Sequence, residues 1–306
     1  MAGIAAGFWI IGALALLGFL LAHVGLLDVT AQLTLSRLAF FVASPALLLT
    51  VLSKTPIAEV FSANLLVSTL SVVIVVALYL VVAVRLWRPS LGEAVVGSMC
   101  AAYVNAGNLG VPIAAYVLGN VSYMAPTLLL QLCVITPVAM ALMDIDARGS
   151  RPKGLEIVRM VLRNPLSLGA LSGVVLSLVG YYPPAAVMRP VEIVGNMAVP
   201  SMLLAFGISL RLGPRPGASG SVGRVAFLVA LKLVVQPLVA LGLALALGLR
   251  GTLLLAAVVT AALPTAQNVF THANRYDKAV LLTRDAVFVS TMLSAPVIVV
   301  IALLLH

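Results

Sequence analysis

The sequence predicts an all-α integral membrane protein with ten transmembrane helices that form two inverted repeats of five. Hydrophobic residues make up 62% of the 306 positions and charged residues only 9%, too few for the polar surface of a soluble globule. The apolar runs lack the period-two alternation of a membrane barrel, so each run must satisfy its own backbone as a helix. Cytosolic enzymes, disulfide-stapled secreted domains and disordered chains are thereby excluded.

Ten apolar stretches are long enough for a helical span, which needs about 20 residues. Their expected bounds are 4–27, 33–53, 61–84, 92–118, 121–143, 164–181, 187–210, 223–248, 251–272 and 279–304. No Lys or Arg precedes the first stretch, and it is too long for the core of a signal peptide. We therefore expect the first stretch to be a retained span.

The basic residues predict the orientation of these spans, because cytoplasmic loops carry an excess of Lys and Arg. With the N-terminus outside, most of the 18 Lys and Arg residues fall in cytoplasmic segments. Only Lys54, Arg189 and Arg250 fall on the outer side, and Lys232 lies in mid-span. We therefore expect a multi-pass protein of the cell (inner) membrane with both termini extracytoplasmic.

Three pairs of proline motifs occur in the same order in the two halves of the chain. The pairs are Ala43–Leu49 with Ala198–Leu204, Pro112 with Pro264, and Pro137-Val138 with Pro296-Val297. Five spans per half is an odd number, so the second copy must cross the membrane in the opposite direction, as in many secondary transporters. We expect repeats at 1–143 and 164–306, joined by a cytoplasmic hinge loop at 144–163. Chance is the alternative, since Pro and Leu are frequent in this chain.

Span four carries a cluster of polar and helix-breaking residues near its middle: Asn105, Gly107, Asn108, Gly110 and Pro112. An asparagine at this depth is costly unless it is paired, glycine favours departures from the helix, and proline deletes a backbone donor. The sequence therefore predicts a break here. A second half-helix is expected to start near Pro112, with Asn108 as its cap.

Span nine repeats this pattern at the matching position of the second half. Pro264 is expected to open its second half-helix, with Thr265, Gln267 and Asn268 in the first turn. A broken helix is tolerated at membrane depth only where it is buried or lines a cavity. Two half-helix N-termini would present unpaired N–H groups and partial positive charge to one site, which suits an anion. The alternative is a pair of packing kinks in which glycine allows close helix contact.

Longer stretches carry a family pattern: Asn105–Pro112 with Leu118-Gly119, Ala261–Asn268 with Ser290–Ser294, and Gly195–Leu210. They resemble the auxin efflux carrier family, which includes plant PIN auxin exporters and bacterial malate or malonate permeases. The resemblance implies the ten-helix fold of bile-acid/sodium symporters, in which broken helices four and nine cross. It also implies a scaffold of helices 1, 2, 6 and 7, often dimeric, and a mobile transport domain of helices 3–5 and 8–10.

Carried over by position, the resemblance implies that Asn105 and Asn268 are the crossover asparagines. It implies that Gln131 is the substrate-facing glutamine of helix five and that Lys232 is the basic residue of helix eight. Plant members pair this basic residue with an acidic one in helix three. The third span here has no Asp or Glu, and Asn64 is its nearest polar candidate.

Two charged positions inside the spans leave alternatives open. Lys232 is a functional candidate, directly or in support of the site, because it lies well inside span eight. Snorkelling to the surface and hydrogen bonding to helix carbonyls are its alternatives. Arg284 and Asp285 open span ten, and as sequence neighbours they are not expected to face each other. Asp285 is a candidate ion or proton site, with a surface charge as the alternative.

No sequence motif for catalysis or for a cofactor is present. There is no HExxH, no Walker A loop and no acidic cluster suited to Mg²⁺, so we expect no enzyme activity, no cofactor and no metal. Cys100 and Cys133 lack metal-ligand spacing, and no disulfide is expected. The net charge is positive, but no basic run with interleaved aromatic residues points to nucleic acid.

We therefore expect a secondary transporter of small organic anions, such as auxin-like, malate-like or malonate-like carboxylates. Its substrate site would use Asn105, Asn108, Gln131, Gln267, Asn268 and Lys232, with hinges at Gly107, Gly110, Pro112, Pro264 and Thr265. The resemblance implies elevator-type alternating access in a lipid bilayer, and we expect a homodimer. Export driven by the membrane potential is expected because no coupling-ion site is evident. A sodium- or proton-coupled symporter on the same fold is the first alternative, and a membrane receptor is the second.

Overall fold

A computed structural model of the protein describes residues 2–56, 63–148, 159, 162–212 and 220–305. These residues form helices and no extended strand, apart from one isolated β-bridge. The helices are α1 (Ala2–His23), α2 (Val29–Leu52), α3 (Ala63–Leu86), α4 (Leu91–Ala102), α5 (Val111–Tyr116), α6 (Val121–Ala147), α7 (Pro165–Val179), α8 (Ala185–Leu212), α9 (Val222–Ala246), α10 (Gly251–Ala262), α11 (Gln267–Tyr276) and α12 (Val280–Leu305).

The helices have the composition of membrane spans, and the all-helical membrane class is confirmed. Six of them, α2, α3, α6, α8, α9 and α12, are long and apolar enough to cross a bilayer. Trp9–His23 of α1 and the helices α4, α7 and α10 are apolar but shorter. The ten-span topology and the inversion of the second repeat stay predictions. Most of the predicted hinge loop at 144–163 lies outside the described residues.

The helices pack into two compact units. The first unit holds Met1–Ser62, Gly107–Leu132 and Met160–Pro214, and the second holds Ala63–Ala106, Cys133–Arg159 and Arg215–His306. The sequence-based division into scaffold and transport domain stays a prediction.

Close helix contacts in the first unit depend on glycine. A Cβ atom on Gly169 of α7 would lie 2.6 Å from the Cα atom of Pro45 in α2. A Cβ atom on Gly173, one turn further along α7, would lie 2.8 Å from the Cβ atom of Leu52. These two glycines form a GxxxG pair, a spacing that lets helix backbones approach each other. The pair therefore serves packing inside one chain, between α7 and α2.

The second unit is built from α3, α4, α9, α10, α11, α12 and the second half of α6. One buried cluster joins α3, α9 and α10 through the residues Val67, Ala240, Ala244, Ala257 and Ala261. Small side chains at this contact allow the three helices to pack closely. Two interruptions in the helices, Tyr103–Asn105 and Leu263–Ala266, belong to this unit.

Candidate functional site

The span that begins with α4 is interrupted at Tyr103–Asn105. Helix α4 ends at Ala102, and Tyr103 has extended backbone angles (φ −85°, ψ 106°). The chain then resumes as a π-helical turn, Ala106–Gly110, followed by α5. Tyr103, Val104 and Asn105 are all nearly fully buried, so their backbone polar groups need partners inside the protein.

The span that begins with α10 is interrupted at Leu263–Ala266, and its main chain provides those partners. The Asn105 N–H donates to the Pro264 carbonyl oxygen at 2.8 Å, and the Ala266 N–H donates to the Tyr103 carbonyl oxygen at 3.1 Å. Val104 and Thr265 face each other as an antiparallel bridge between these two bonds. The two interruptions thus satisfy each other's backbone groups in the interior of the second unit.

The break in span four lies at the start of the predicted polar segment, and the second half-helix, α5, begins at Val111, near Pro112 as predicted. Gly107, Asn108 and Gly110 lie in the π-helical turn and not in an extended link. The N-cap of α5 is Gly110, which has no side chain to accept a hydrogen bond, and Pro112 lies in the first turn. The prediction that Asn108 caps this half-helix was therefore wrong, because the π-helical turn already supplies backbone acceptors to its first residues.

The second half-helix of span nine also begins at a different residue. Pro264 and Thr265 lie in the extended link, and α11 starts at Gln267 with Ala266 as its N-cap. The prediction that Pro264 opens this helix was wrong, because its carbonyl is held by the Asn105 N–H. Gln267 and Asn268 lie in the first turn, as predicted, whereas the prediction that Thr265 lies there was wrong because Thr265 belongs to the extended link.

The carbonyl groups at the end of α4 that have no partner within the helix accept hydrogen bonds from side chains of other elements. The Thr265 hydroxyl donates to the Cys100 carbonyl oxygen at 2.7 Å, and the Gln236 amide donates to the Ala102 carbonyl oxygen at 3.0 Å. The last carbonyls of a helix have no partner within that helix, and burying them unpaired would be costly. These two side chains therefore stabilise the helix end at the interruption.

Lys232 binds a carbonyl group at the end of α10 in the same way. Its ammonium group donates to the Ala261 carbonyl oxygen at 2.7 Å, and its side chain is fully buried. A cation at a helix C-terminus interacts favourably with the helix dipole. Lys232 and Gln236 are four residues apart on α9, so they lie on the same face and reach the ends of two different half-helices. Lys232 lies within a π-helical turn of α9, Leu231–Val235, and Gln236 follows it directly.

A hydroxyl network connects the interruption to the first turn of α11. The Asn268 side-chain amide donates to the Tyr103 hydroxyl at 3.4 Å, and this hydroxyl also lies 2.9 Å from the Thr136 hydroxyl. Neither Tyr103 nor Thr136 was predicted to have a role. A tyrosine in mid-span, directly before the polar cluster, was the signal that could have identified the first of them, since a buried tyrosine hydroxyl needs a partner.

The first turn of α11 has the chemistry of an anion site. Gln267 and Asn268 are half-buried there, next to the N–H groups that begin the helix. Helix N-termini and side-chain amides both donate hydrogen bonds to anionic oxygens. Asn105, whose side chain was predicted to bind substrate, is 3% exposed in the adjoining link.

Two other predicted substrate ligands belong to the first unit. Gln131 is 3% exposed and begins the π-helical turn Gln131–Ile135 of α6, and Asn108 is half-buried. The structure therefore brings Asn105, Thr265 and Asn268 together in the second unit, with Lys232 supporting the end of α10. A shared substrate site that includes Gln131 and Asn108 stays a prediction.

Arg284 and Asp285 pair with each other, contrary to the prediction that sequence neighbours on a helix do not meet. The Arg284 Nη2 atom lies 3.1 Å from the Asp285 Oδ1 atom, and the Asp285 side chain is only 3% exposed. The guanidinium group is long enough to bend back along α12 to the shorter carboxylate. The surface alternative for Asp285 was therefore wrong, and its role as an ion or proton site stays a prediction.

In the described parts of the chain, no three His, Cys, Asp or Glu residues are grouped as a metal site would need. The two cysteines there, Cys100 and Cys133, are free thiols.

Comparisons with known proteins extend these observations. A family model described as "Membrane transport protein" matches residues 9–302. A Rhizobium meliloti protein named "Putative malonate transporter" is 29% identical over 271 residues, which cover 85% of this chain and 82% of the relative. Auxin efflux carrier component 1 of Arabidopsis thaliana is 31% identical over 155 residues, and component 3a of Oryza sativa is 29% identical over the same length. Each plant match covers 49% of this chain and 25% of the relative.

Proposed function

Because the chain belongs to the auxin efflux carrier family of membrane transport proteins, we propose that this membrane transporter moves small organic anions. The family model covers nearly the whole chain, and the bacterial relative matches over most of both lengths. Family membership alone does not give the substrate class, the transport mechanism or the driving force, and we propose all three.

The observation that carries the proposal is the pair of interrupted spans in the second unit. Their main chains bind each other, which places the N-terminus of α11 with Gln267 and Asn268 beside the link that holds Asn105. These groups are hydrogen-bond donors at the positive end of a helix. A carboxylate fits this chemistry better than a cation, which would need acidic or carbonyl oxygen ligands.

The relatives suggest which carboxylates to test first. The Rhizobium meliloti protein is named for malonate, a small dicarboxylate, and the plant proteins are named for auxin. We propose a small mono- or dicarboxylate and favour the dicarboxylate, since the bacterial relative matches over 82% of its own length and the two plant relatives over 25% of theirs. A thermal-shift screen of organic acids would identify the substrate, because a ligand that binds the folded state raises its stability by mass action.

We propose elevator-type alternating access in the inner membrane, with both termini outside, and a homodimeric assembly. Movement of the substrate would be driven by the membrane potential. Lys232 would support the site by holding the end of α10, since its ammonium group binds the Ala261 carbonyl oxygen. Gln131 and Asn108 stay candidate ligands.

Transport of radiolabelled malonate into proteoliposomes tests the proposed site. We expect Asn105→Ala and Asn268→Ala to abolish counterflow while the protein inserts and unfolds at a normal temperature. Asn274→Ala is the matched control, since Asn274 is exposed on the same helix α11 and should transport normally. Normal counterflow in both site variants would contradict the proposed site.

The buried carboxylate of Asp285 keeps a coupled symporter as a second candidate. Asp285 is nearly inaccessible and lies next to Arg284, so its charge would respond to a bound proton or cation. If transport in the Asp285→Asn variant no longer depends on a sodium or proton gradient that the wild type requires, the symporter is the correct function. Ligand binding without counterflow would instead indicate a receptor.

A further inference from the structure

The second unit has an apolar groove on its side, between α3, α4 and α6. The groove has a volume of about 320 Å³. Each of the three helices contributes a row of apolar side chains, including Val72 and Val76, Val95 and Met99, and Val134 and Val138. Val134 and Val138 are each more than half exposed, so the groove is open along the side of these helices.

The length of the groove matches one leaflet of a bilayer. It extends along α4 from Leu91 at the start of the helix to Tyr103 at the interruption. Twelve helical residues rise about 18 Å, which is close to half of the roughly 30 Å hydrocarbon core. The groove therefore has the length of one lipid chain that reaches from the membrane surface to the middle of the membrane.

The few polar groups of the groove are already satisfied. The Ser98 hydroxyl donates to the Ala94 carbonyl oxygen at 2.7 Å, and the Tyr103 hydroxyl is bound by Thr136 and Asn268. A water-soluble ligand would gain no hydrogen bond here, whereas a hydrocarbon chain would make van der Waals contacts with apolar side chains of all three helices.

The end of the groove at the membrane surface carries positive charge. Arg85 and Arg88 are exposed in and beside the α3–α4 connection, and neither has an acidic partner among the described residues. The nearby acidic side chains are occupied in three contacts, which are Glu93 with the Ser90 N–H, Asp146 with Lys278, and Asp144 with the Tyr276 hydroxyl. Arg224 lies over the Trp87 ring, which follows Arg85 and precedes Arg88 in the chain.

We propose that this groove is a binding site for an anionic phospholipid. One acyl chain lies in the groove between α3, α4 and α6, and Arg85 and Arg88 bind the phosphate of the headgroup. One arginine guanidinium group can donate two parallel hydrogen bonds to the oxygens of one phosphate. Each basic residue near a membrane surface also favours the binding of an anionic lipid.

The second unit also contains a matched control site. A similar apolar groove of about 420 Å³ lies between α9, α10 and α12. Its Pro296-Val297 pair is the counterpart of Pro137-Val138 in the predicted repeat, so Val297 is chosen to match Val138. The α9–α10 connection carries the single basic residue Arg250, whereas the first groove has two.

Native mass spectrometry of the purified protein with dioleoyl phosphatidylglycerol or dioleoyl phosphatidylcholine tests the proposal. We expect wild type to prefer phosphatidylglycerol and the double variant Arg85→Gln/Arg88→Gln to bind it about thirtyfold more weakly. Val138→Trp should weaken the binding of both lipids by filling the groove. The control variants Arg250→Gln and Val297→Trp should keep the wild-type preference.

Thermal unfolding separates loss of the lipid site from misfolding. Without added lipid, the double variant should unfold at the wild-type temperature. Phosphatidylglycerol should raise the unfolding temperature of wild type but not that of the double variant. Equal binding of the two lipids by wild type would overturn the proposal, as would full retention of phosphatidylglycerol in the double variant. An equal loss in the control variants would place the lipid elsewhere.

Discussion

At the scale of single residues, Lys232 shows how a buried charge affects the stability of the fold. Its ammonium group is fully buried and binds the Ala261 carbonyl oxygen, and no acidic side chain among the described residues pairs with it. Removing an ion from water costs several kcal/mol, and one hydrogen bond to a neutral carbonyl returns only part of this. Burying Lys232 therefore lowers the free energy of unfolding, while its hydrogen bond holds the end of the interrupted helix.

The Lys232→Met variant separates these two effects because methionine keeps most of the length of the side chain without its charge. We expect an unfolding temperature equal to or above that of wild type, since the cost of burying the cation is larger than the cost of leaving the Ala261 carbonyl oxygen unpaired. We expect transport to fall at least about tenfold, the equivalent of losing one charged hydrogen bond at α10. Differential scanning fluorimetry and proteoliposome counterflow would measure the two quantities. A clearly lower unfolding temperature with normal transport would mean that Lys232 serves stability alone.

Some residues of the candidate site could be predicted from the sequence and others could not. The physical reason is the separation along the chain between a residue and its hydrogen-bond partner. Asn105 and Thr265 lie in the extended links, close to where the sequence predicted the breaks, because local composition predicts where a helix stops. The partner of Thr265, the Cys100 carbonyl, is 165 positions away, and no local pattern indicates it. The role of Tyr103 was missed for the same reason, because Asn268 and Thr136 bind its hydroxyl from other helices.

At the scale of elements, the packing of α1 on α8 depends on the absence of one side chain. A Cβ atom on Gly207 of α8 would collide with the main-chain carbonyl oxygen of Ala15 in α1. Backbone atoms cannot rotate away as a flexible side chain can, so the two helices would have to separate.

We expect Gly207→Ala to lower the free energy of unfolding by about 1–3 kcal/mol, the usual cost of overpacking. Gly12→Ala is the matched control, because a Cβ atom on Gly12 of α1 has no neighbour within 4 Å. Alanine should stabilise that exposed helix position by up to about 1 kcal/mol. Unfolding in detergent measures both, and equal effects of the two substitutions would contradict the close contact.

The turn between α11 and α12 is held to the end of α6 by an ion pair. The Lys278 Nζ atom lies 2.8 Å from the Asp146 Oδ2 atom. This carboxylate raises the pKa of Lys278 above its usual value of 10.5. A raised lysine pKa means that the folded state binds the proton more tightly than the unfolded state does.

The pH dependence of the pair follows from that direction. Its contribution to stability is complete below pH 10.5 and is lost as the pH rises through the raised pKa of the folded state. We expect the difference in unfolding temperature between wild type and Lys278→Gln to stay constant from about pH 7 to 9.5 and to shrink above pH 10.5. A difference that already shrinks near neutral pH would show that another group controls the contact.

At the scale of the whole molecule, hydropathy predicted where the helices lie. The polar and helix-breaking residues inside two of the spans determined where those spans are divided into shorter helices. Helices α4 and α10 are too short to span a bilayer alone because each stops where an extended link replaces the helix. The sequence predicted that both spans break. It did not predict that Tyr103 and Asn105 would bind Ala266 and Pro264 through the main chain, because backbone groups leave no signature in composition.

The driving force is the property of the whole molecule that a single experiment can decide. A membrane potential of 100 mV changes the free energy of moving one charge by about 2.3 kcal/mol, which is close to a fiftyfold concentration ratio. A dianion such as malonate would experience twice this free energy, because it carries two charges. An inside-negative membrane would then expel the substrate without any coupled ion.

We expect malonate flux in proteoliposomes to follow potentials imposed with potassium and valinomycin, in the absence of sodium and pH gradients. The flux should carry a current of two negative charges per malonate, and the Asp285→Asn variant should keep both flux and current. The arrangement of donors supports this outcome, because the N-terminus of α11 and its amides can bind an anion without a companion cation. Flux that stops without a sodium or proton gradient, and that carries no current, would require a coupling-ion site and would make Asp285 its first candidate.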